Sequence, residues 1–297
     1  MPATVAYAVG VWLLCGVLTH QYWWQLACFA VTTYLMVELN NIHALIRIFS
    51  RMVSSVFLAL ICCASFLFPA IHEASMLVCL AAFTLLLFLT YQNKEAAGLT
   101  YYAFLFFGVA SIAYVHVLFF LPLIWLLMLT NVMSLSWRTW GASLLGLLTP
   151  YWFGLVWLLY QNDYTLAIDH FSALAVFEEP FNLNAITDGQ KATLALTIFM
   201  AMIGAIHFIR KSYQDKIRIR MLYFFFMWID IAALLFLLLQ PQHFNAMLLI
   251  MILNSAPLIA HFIALTSTKL TNATFLVLST VTLLLTAYNI WTSSSLF

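Results

Sequence analysis

The chain has 297 residues, of which 65% are hydrophobic and only 7% charged, with a formal net charge of +1. A soluble domain carries about 25% charged residues, and an aqueous core of this size could not hide so much apolar surface. The balance excludes an ordinary soluble enzyme, gives no attraction to nucleic acid, and makes lipid the solvent for most of the chain.

Apolar runs of about 17 to 25 residues are span candidates. Eleven occur, near residues 4–19, 22–39, 53–70, 74–91, 99–115, 118–134, 140–160, 190–209, 220–239, 243–265 and 271–292. They predict an all-α, polytopic transmembrane bundle of about 11 spans, built as a single integral membrane domain over residues 1–297. The first run lacks a basic leader and a small-residue cleavage site, so it reads as a retained span. The stretch 99–134 would be about 54 Å long as one helix, too long for a hydrocarbon core of about 30 Å. A hairpin turning near His116, with Pro122 opening its second leg, is expected instead.

Charge placement supports that folding pattern. With the N-terminus in the cytoplasm, the loops 40–52, 92–98, 135–139, 210–220 and 266–270 fall on the cytoplasmic side. They hold ten of the eleven lysines and arginines, and only Lys191 falls opposite. Cytoplasmic loops are rich in Lys and Arg by the positive-inside rule. The segment "RKSYQDKIRIR" (210–220) alone sets the side. In "NNIHALIRIFSRM" (40–52), His43, Arg47 and Arg51 fall four apart and would form one stripe on a helix. Such a stripe would meet an anionic headgroup or a carrier phosphate while the apolar face rests in the membrane interface. On the outer side, residues 161–189 form the one sizeable extramembrane piece. A surface helix is expected there over Leu166 to Phe177, ended by Pro180.

Asp230 lies within "FFFMWIDIAALLFLLL", about ten residues above the cytoplasmic end of its span. Carboxylates at that depth are expensive and mark functional sites. The next span is antiparallel, and it puts Asn254 and Ser255 at similar depth, with Pro257 freeing a backbone carbonyl nearby. This intramembrane set suits ion or proton transport, and it equally suits hydrogen-bonded packing. Outside, His72 with Glu73, and Asp169 beside His170 on the expected surface helix, draw notice, and Glu73, His72 and Asp169 are the candidate catalytic groups. No H-x-x-x-H or H-E-x-x-H spacing occurs, and a metal needs three or four convergent ligands, so no metal site is expected. Neither a P-loop nor a nucleophile elbow is present.

The stretches "RIFSRMVSSVFLALICCASFLFP", "AFLFFGVASIAYVHVLFFLPLIWLLML" and "LSWRTWGASLLGLLTPYW" resemble a family of polytopic inner-membrane proteins from Bacteroidota. The "G-x-A-S" hairpin at Gly108–Ser111, the "SWR" turn at 136–138 and "LLGLLTPY" at 144–151 carry the resemblance, over roughly residues 45–160. It implies the bacterial inner (cytoplasmic) membrane, and no particular activity. A more distant similarity is to the C-type glycosyltransferase superfamily, which shares an Arg-led span, an outer loop after a Pro, the short hairpin and a Pro-aromatic span. That similarity implies sugar transfer from a polyprenyl-phosphate carrier at the outer face, often with a divalent metal. Glu73, beside His72, falls where the superfamily's second acidic position would lie. The connector "THQYW" (19–23) carries no carboxylate where the superfamily has a catalytic one.

Three functions therefore stand open. The first is a non-enzymatic accessory or scaffold role in the cell envelope, with envelope proteins as partners. The second is a polyprenyl-phosphate-dependent glycosyltransferase using Glu73, His72 and Asp169. The third is a transporter or lipid flippase using Asp230. Membrane lipids are partners in all three.

Overall fold

The computed structural model describes residues 1–161, 165–182, 186–266 and 268–294, and these form helices with no strand among them. In chain order the helices are α1 (Pro2–Leu14), α2 (Val17–His20), α3 (Trp23–His43), α4 (Met52–Cys63), α5 (Ile71–Leu89), α6 (Ala97–Ala113) and α7 (Leu121–Thr130). There follow α8 (Trp137–Gln161), α9 (Thr165–Ser172), α10 (Asp188–Lys211), α11 (Ile217–Leu239), α12 (Phe244–Leu265) and α13 (Lys269–Ser294).

Each of the eleven apolar runs holds one of these helices, but they differ in length. Six are long and apolar enough to cross a membrane: α5, α8, α10 and α11 to α13. Helices α1, α4 and α6, and the segment 115–130 that ends in α7, are apolar but shorter. Helix α4 shows why a run can be longer than its helix. It stops at Cys63 and passes into a 3-10 turn over Ser65–Leu67. Pro69 follows, and its ring would clash with the carbonyl four residues back if the α-helix continued.

Contacts divide the chain into two compact units, residues 1–71 with 180–297, and residues 72–179. The first unit is built round α12. From Phe244 to Phe262 every residue except Asn245 is buried, as expected of a helix apolar on all sides. Helices α4, α10 and α11 pack directly on it. Gly204 lets α10 come close, because a Cβ there would lie 2.6 Å from the carbonyl carbon and oxygen of Leu258. Hydroxyls in this core bond back to carbonyls on their own helix. Thr193, Thr197, Thr282 and Thr286 each donate to the carbonyl four residues earlier, which satisfies them without water.

Short contacts fix which helix ends share a side. Ser54 Oγ meets Met1 Sδ at 3.4 Å, joining the start of α1 to that of α4. Arg218 at the start of α11 reaches His43 at the end of α3. Asn289 near the end of α13 donates to the Cys63 carbonyl and to Thr193 Oγ1, which defines the opposite end. Every lysine and arginine of this unit except Lys191 therefore sits at one end, here called the basic end.

In the second unit the chain reverses within 97–134. Tyr114 is extended at φ −151, ψ 98 and ends α6. A 3-10 turn over Val115–Phe120 leads into α7, with Pro122 in its first turn. The Gln92 N–H donates to the Val132 carbonyl at 2.9 Å, so the two legs begin and finish together. Ser136 Oγ donates to the Lys94 carbonyl at 2.7 Å, which brings Lys94 and Arg138 to the same end of the unit. Helices α6 and α8 make the closest packing in this unit. A Cβ on Gly146 would collide with the Tyr101 carbonyl oxygen, and one on Gly108 would lie 2.7 Å from that of Leu147.

The surface helix is shorter than expected. Helix α9 covers Thr165–Ser172, a 3-10 turn covers Ala173–Ala175, and Val176 is already extended. Ser172 Oγ bonds back to the Asp169 carbonyl, taking an acceptor that continued helix would use. Pro180 does not set its end.

Two glycines in α8 give opposite expectations. Gly146→Ala overpacks the α6 contact and costs about 1–3 kcal/mol. Gly154 faces open space, so Gly154→Ala gains up to about 1 kcal/mol of helix propensity. Thermal unfolding in detergent reads both, with Tm falling for the first variant and not for the second.

Candidate functional site

Helices α11 and α12 run antiparallel, and their shared seam carries polar groups at three levels. The deepest is Asp230, buried on α11. Ser255 Oγ on α12 donates to its Oδ2 at 2.9 Å, and Oδ1 has no hydrogen-bond partner. A cleft of about 200 Å³ between α10, α11 and α12 is lined by both residues. The rest of its lining is apolar, including Ile198, Met202, Met227 and Met251. Asn254 does not join the pair, because its amide donates to the Ile250 carbonyl on its own helix.

Two turns nearer the basic end stands Tyr223, fully buried and stacked on Phe208. Its hydroxyl lies 3.4 Å from the carbonyls of both Pro257 and Leu45. Pro257 has no N–H, so the Leu253 carbonyl loses its usual partner. The third level is a pair at the basic end. His261 Nε2 donates to Asp215 Oδ2 at 3.1 Å, and the two side chains are 0% and 2% exposed. The His207 ring, on the last turns of α10, has its centroid 5.4 Å from that of His261.

The expected stripe of His43, Arg47 and Arg51 does not form. His43 is the last residue of α3, Ala44 follows at φ 50, ψ 49, and residues 45–51 are not helical. Asn40 ends the helix by folding the chain back. Its side chain donates to the Ser50 carbonyl and accepts from the Ile46 N–H, while Leu45 and Ile46 are buried. The three side chains then separate. His43 is buried, with Nδ1 accepting from Arg218 Nη2 at 2.9 Å. Arg47 donates to Gln214 Oε1 at 2.6 Å from an exposed position. Arg51 caps α4.

In the second unit, His72 and Glu73 lie in the first turn of α5, and Asp169 is exposed on α9. No contact joins Asp169 to that pair among the described residues. None of the described His, Cys, Asp and Glu side chains forms a group of three set to hold a metal. Lys191, the one Lys or Arg of the first unit away from the basic end, lies 3.7 Å from Asp188 one turn away.

Asp215, His207 and His261 were not singled out from the sequence. Their signals were present. Asp215 is the one acid in a basic segment, and His207 and His261 interrupt apolar runs close to the ends that meet that segment. Comparison with protein-family models, with curated proteins and with solved structures finds no match for this chain.

The surface helix supplies a pH test. Tyr151 OH lies 3.5 Å from His170 Nε2 and donates to Ser111 Oγ at 2.8 Å. Burial pushes the His170 imidazole below its usual range, partly offset by a backbone hydrogen bond at Ser111. The neutral ring thus belongs to the packed form. Its contribution is present above the usual histidine value of about 6.5 and is lost as pH falls through the lowered one. Amide exchange in Thr165–Ser172, corrected for intrinsic rate, is expected to quicken as pH drops below about 6. His170→Gln removes that dependence.

Proposed function

We propose that this chain is a multi-pass protein of the cytoplasmic membrane that carries protons as part of transport, with Asp230 as the proton-binding group. One observation carries the reading: a buried carboxylate with one oxygen unpartnered, at the wall of an apolar cleft and midway along a helix long and apolar enough to cross a membrane. An ionised carboxylate left unpaired in such surroundings is far too costly to persist. Something positive must accompany its charge. A hard cation needs several oxygen ligands, and Ser255 Oγ is the one side-chain oxygen besides the carboxylate in that lining. A proton needs only Oδ1.

The basic end would face the cytoplasm, in line with the positive-inside rule. The reading draws on the first unit alone and takes nothing from the resemblance to C-type glycosyltransferases. The apolar clefts bordering α1, about 410 and 490 Å³, are lined almost entirely by hydrocarbon and are where membrane lipid would lie.

An apolar carbodiimide reacts with protonated carboxyls that it reaches from lipid. Wild-type protein is expected to take one adduct on Asp230, located by mass spectrometry of its peptides, with yield falling as pH rises. Asp230→Asn keeps an acceptor for Ser255, so it should change stability by less than about 1 kcal/mol while abolishing the adduct. An unlabelled Asp230 at every pH, or a variant that loses its fold, would assign the residue to packing instead.

A further inference from the structure

Among the buried polar atoms at the basic end without a hydrogen-bond partner are both ring nitrogens of His207, Nδ1 of His261 and Oδ1 of Asp215. They belong to three residues that already adjoin, through the 3.1 Å Asp215–His261 bond and the 5.4 Å approach of the two imidazoles. Buried polar groups are normally satisfied, and a group of exceptions calls for a role. We propose that His207, His261 and Asp215 form a proton-exchange site through which Asp230 equilibrates with water at the basic end. The proposal rests on the reading of Asp230 as a proton carrier.

The placement is what favours exchange over a static fold contact. His261 and Ser255 lie on the same helix six residues apart, a rise of about 9 Å. Asp215 precedes the helix that carries Asp230. Tyr223 stands between the two levels, its ring centroid 5.1 Å from that of His261 and its hydroxyl at the Pro257 carbonyl. Polar groups are therefore spaced along one seam from the membrane boundary to the buried carboxylate.

Charges around the site set what it can hold. Lys211 on α10 and Arg47 in the 44–51 segment are the basic side chains whose charge reaches His207, and that of Arg47 also reaches His261. Asp215 opposes them, and Tyr223 contributes a neutral hydroxyl from α11. Two fixed cations disfavour a divalent metal there, and no metal-holding group of three occurs among the described residues. A proton that reaches Nδ1 of His261 is steadied by the Asp215 carboxylate hydrogen-bonded to Nε2 of the same ring and then passed on. Its release to the Asp230 carboxylate leaves the imidazole neutral again, so protons balance and no other reactant is needed.

The test uses full-length protein in vesicles of known orientation, with the pH on each side set separately and the carbodiimide adduct on Asp230 as the readout. In wild type, labelling should follow the pH at the basic end. His261→Gln should slow that response by about tenfold or more, while the labelling reached at equal pH on both sides stays at the wild-type level. His207→Gln is a second variant, in a ring that has no hydrogen bond to lose, and should act the same way. Wild-type response rates in both variants would overturn the proposal and leave the Asp230 reading intact. So would wild-type labelling that follows the opposite side. Absence of labelling at any pH would remove both.

Discussion

Helix α12 is enclosed by its neighbours, and the rest of the first unit follows from that constraint. It is buried along nearly its whole length, so each polar group it carries must find a partner on a neighbouring helix or on itself. Ser255 finds Asp230, the Pro257 carbonyl finds Tyr223, and His261 finds Asp215. Asn254 and Thr266 turn back to their own helix. These pairings align α11 against α12 along one seam. Gly204 completes the arrangement by letting the α10 backbone approach Leu258. What distinguishes the seam from ordinary packing is what it leaves over: one oxygen of Asp230, one of Asp215 and three imidazole nitrogens.

The second unit solves a similar problem by shape rather than by polar pairing. Helix α6 stops at Tyr114, and the chain returns to where it entered, closed by the Gln92–Val132 bond. Helices α6 and α8 then meet on Gly108 and Gly146, where backbone touches backbone. Small residues at helix contacts are the usual route to association in lipid, where apolar side chains gain little from touching one another.

The architecture was legible in the sequence to the extent that it depends on hydropathy and charge. The hairpin near His116 follows from the length limit of a bilayer, and the gathering of basic residues follows from the positive-inside pattern. The depth match of Asp230 with Ser255 follows from counting residues along antiparallel helices. The stripe of His43, Arg47 and Arg51 did not survive, because spacing assumes a helix and Asn40 ends that helix with two side-chain bonds. Apolar runs outlast their helices for the same kind of reason, as before Pro69, where apolar character continues past the last turn of α4. The Asp215–His261–His207 cluster depends on three segments meeting at one end. Single residues in separate segments carry no spacing signal, and only the folded chain brings them together.

The central claim is that Asp230 gains and loses a proton while buried in the membrane core. Infrared difference spectroscopy of the protein in lipid, recorded between acidic and alkaline pH, reads this directly through the stretching band of a protonated carboxyl. The account predicts such a band that disappears as pH rises and is absent from Asp230→Asn. A spectrum in which no buried carboxyl titrates, or in which the band persists in Asp230→Asn, would contradict it.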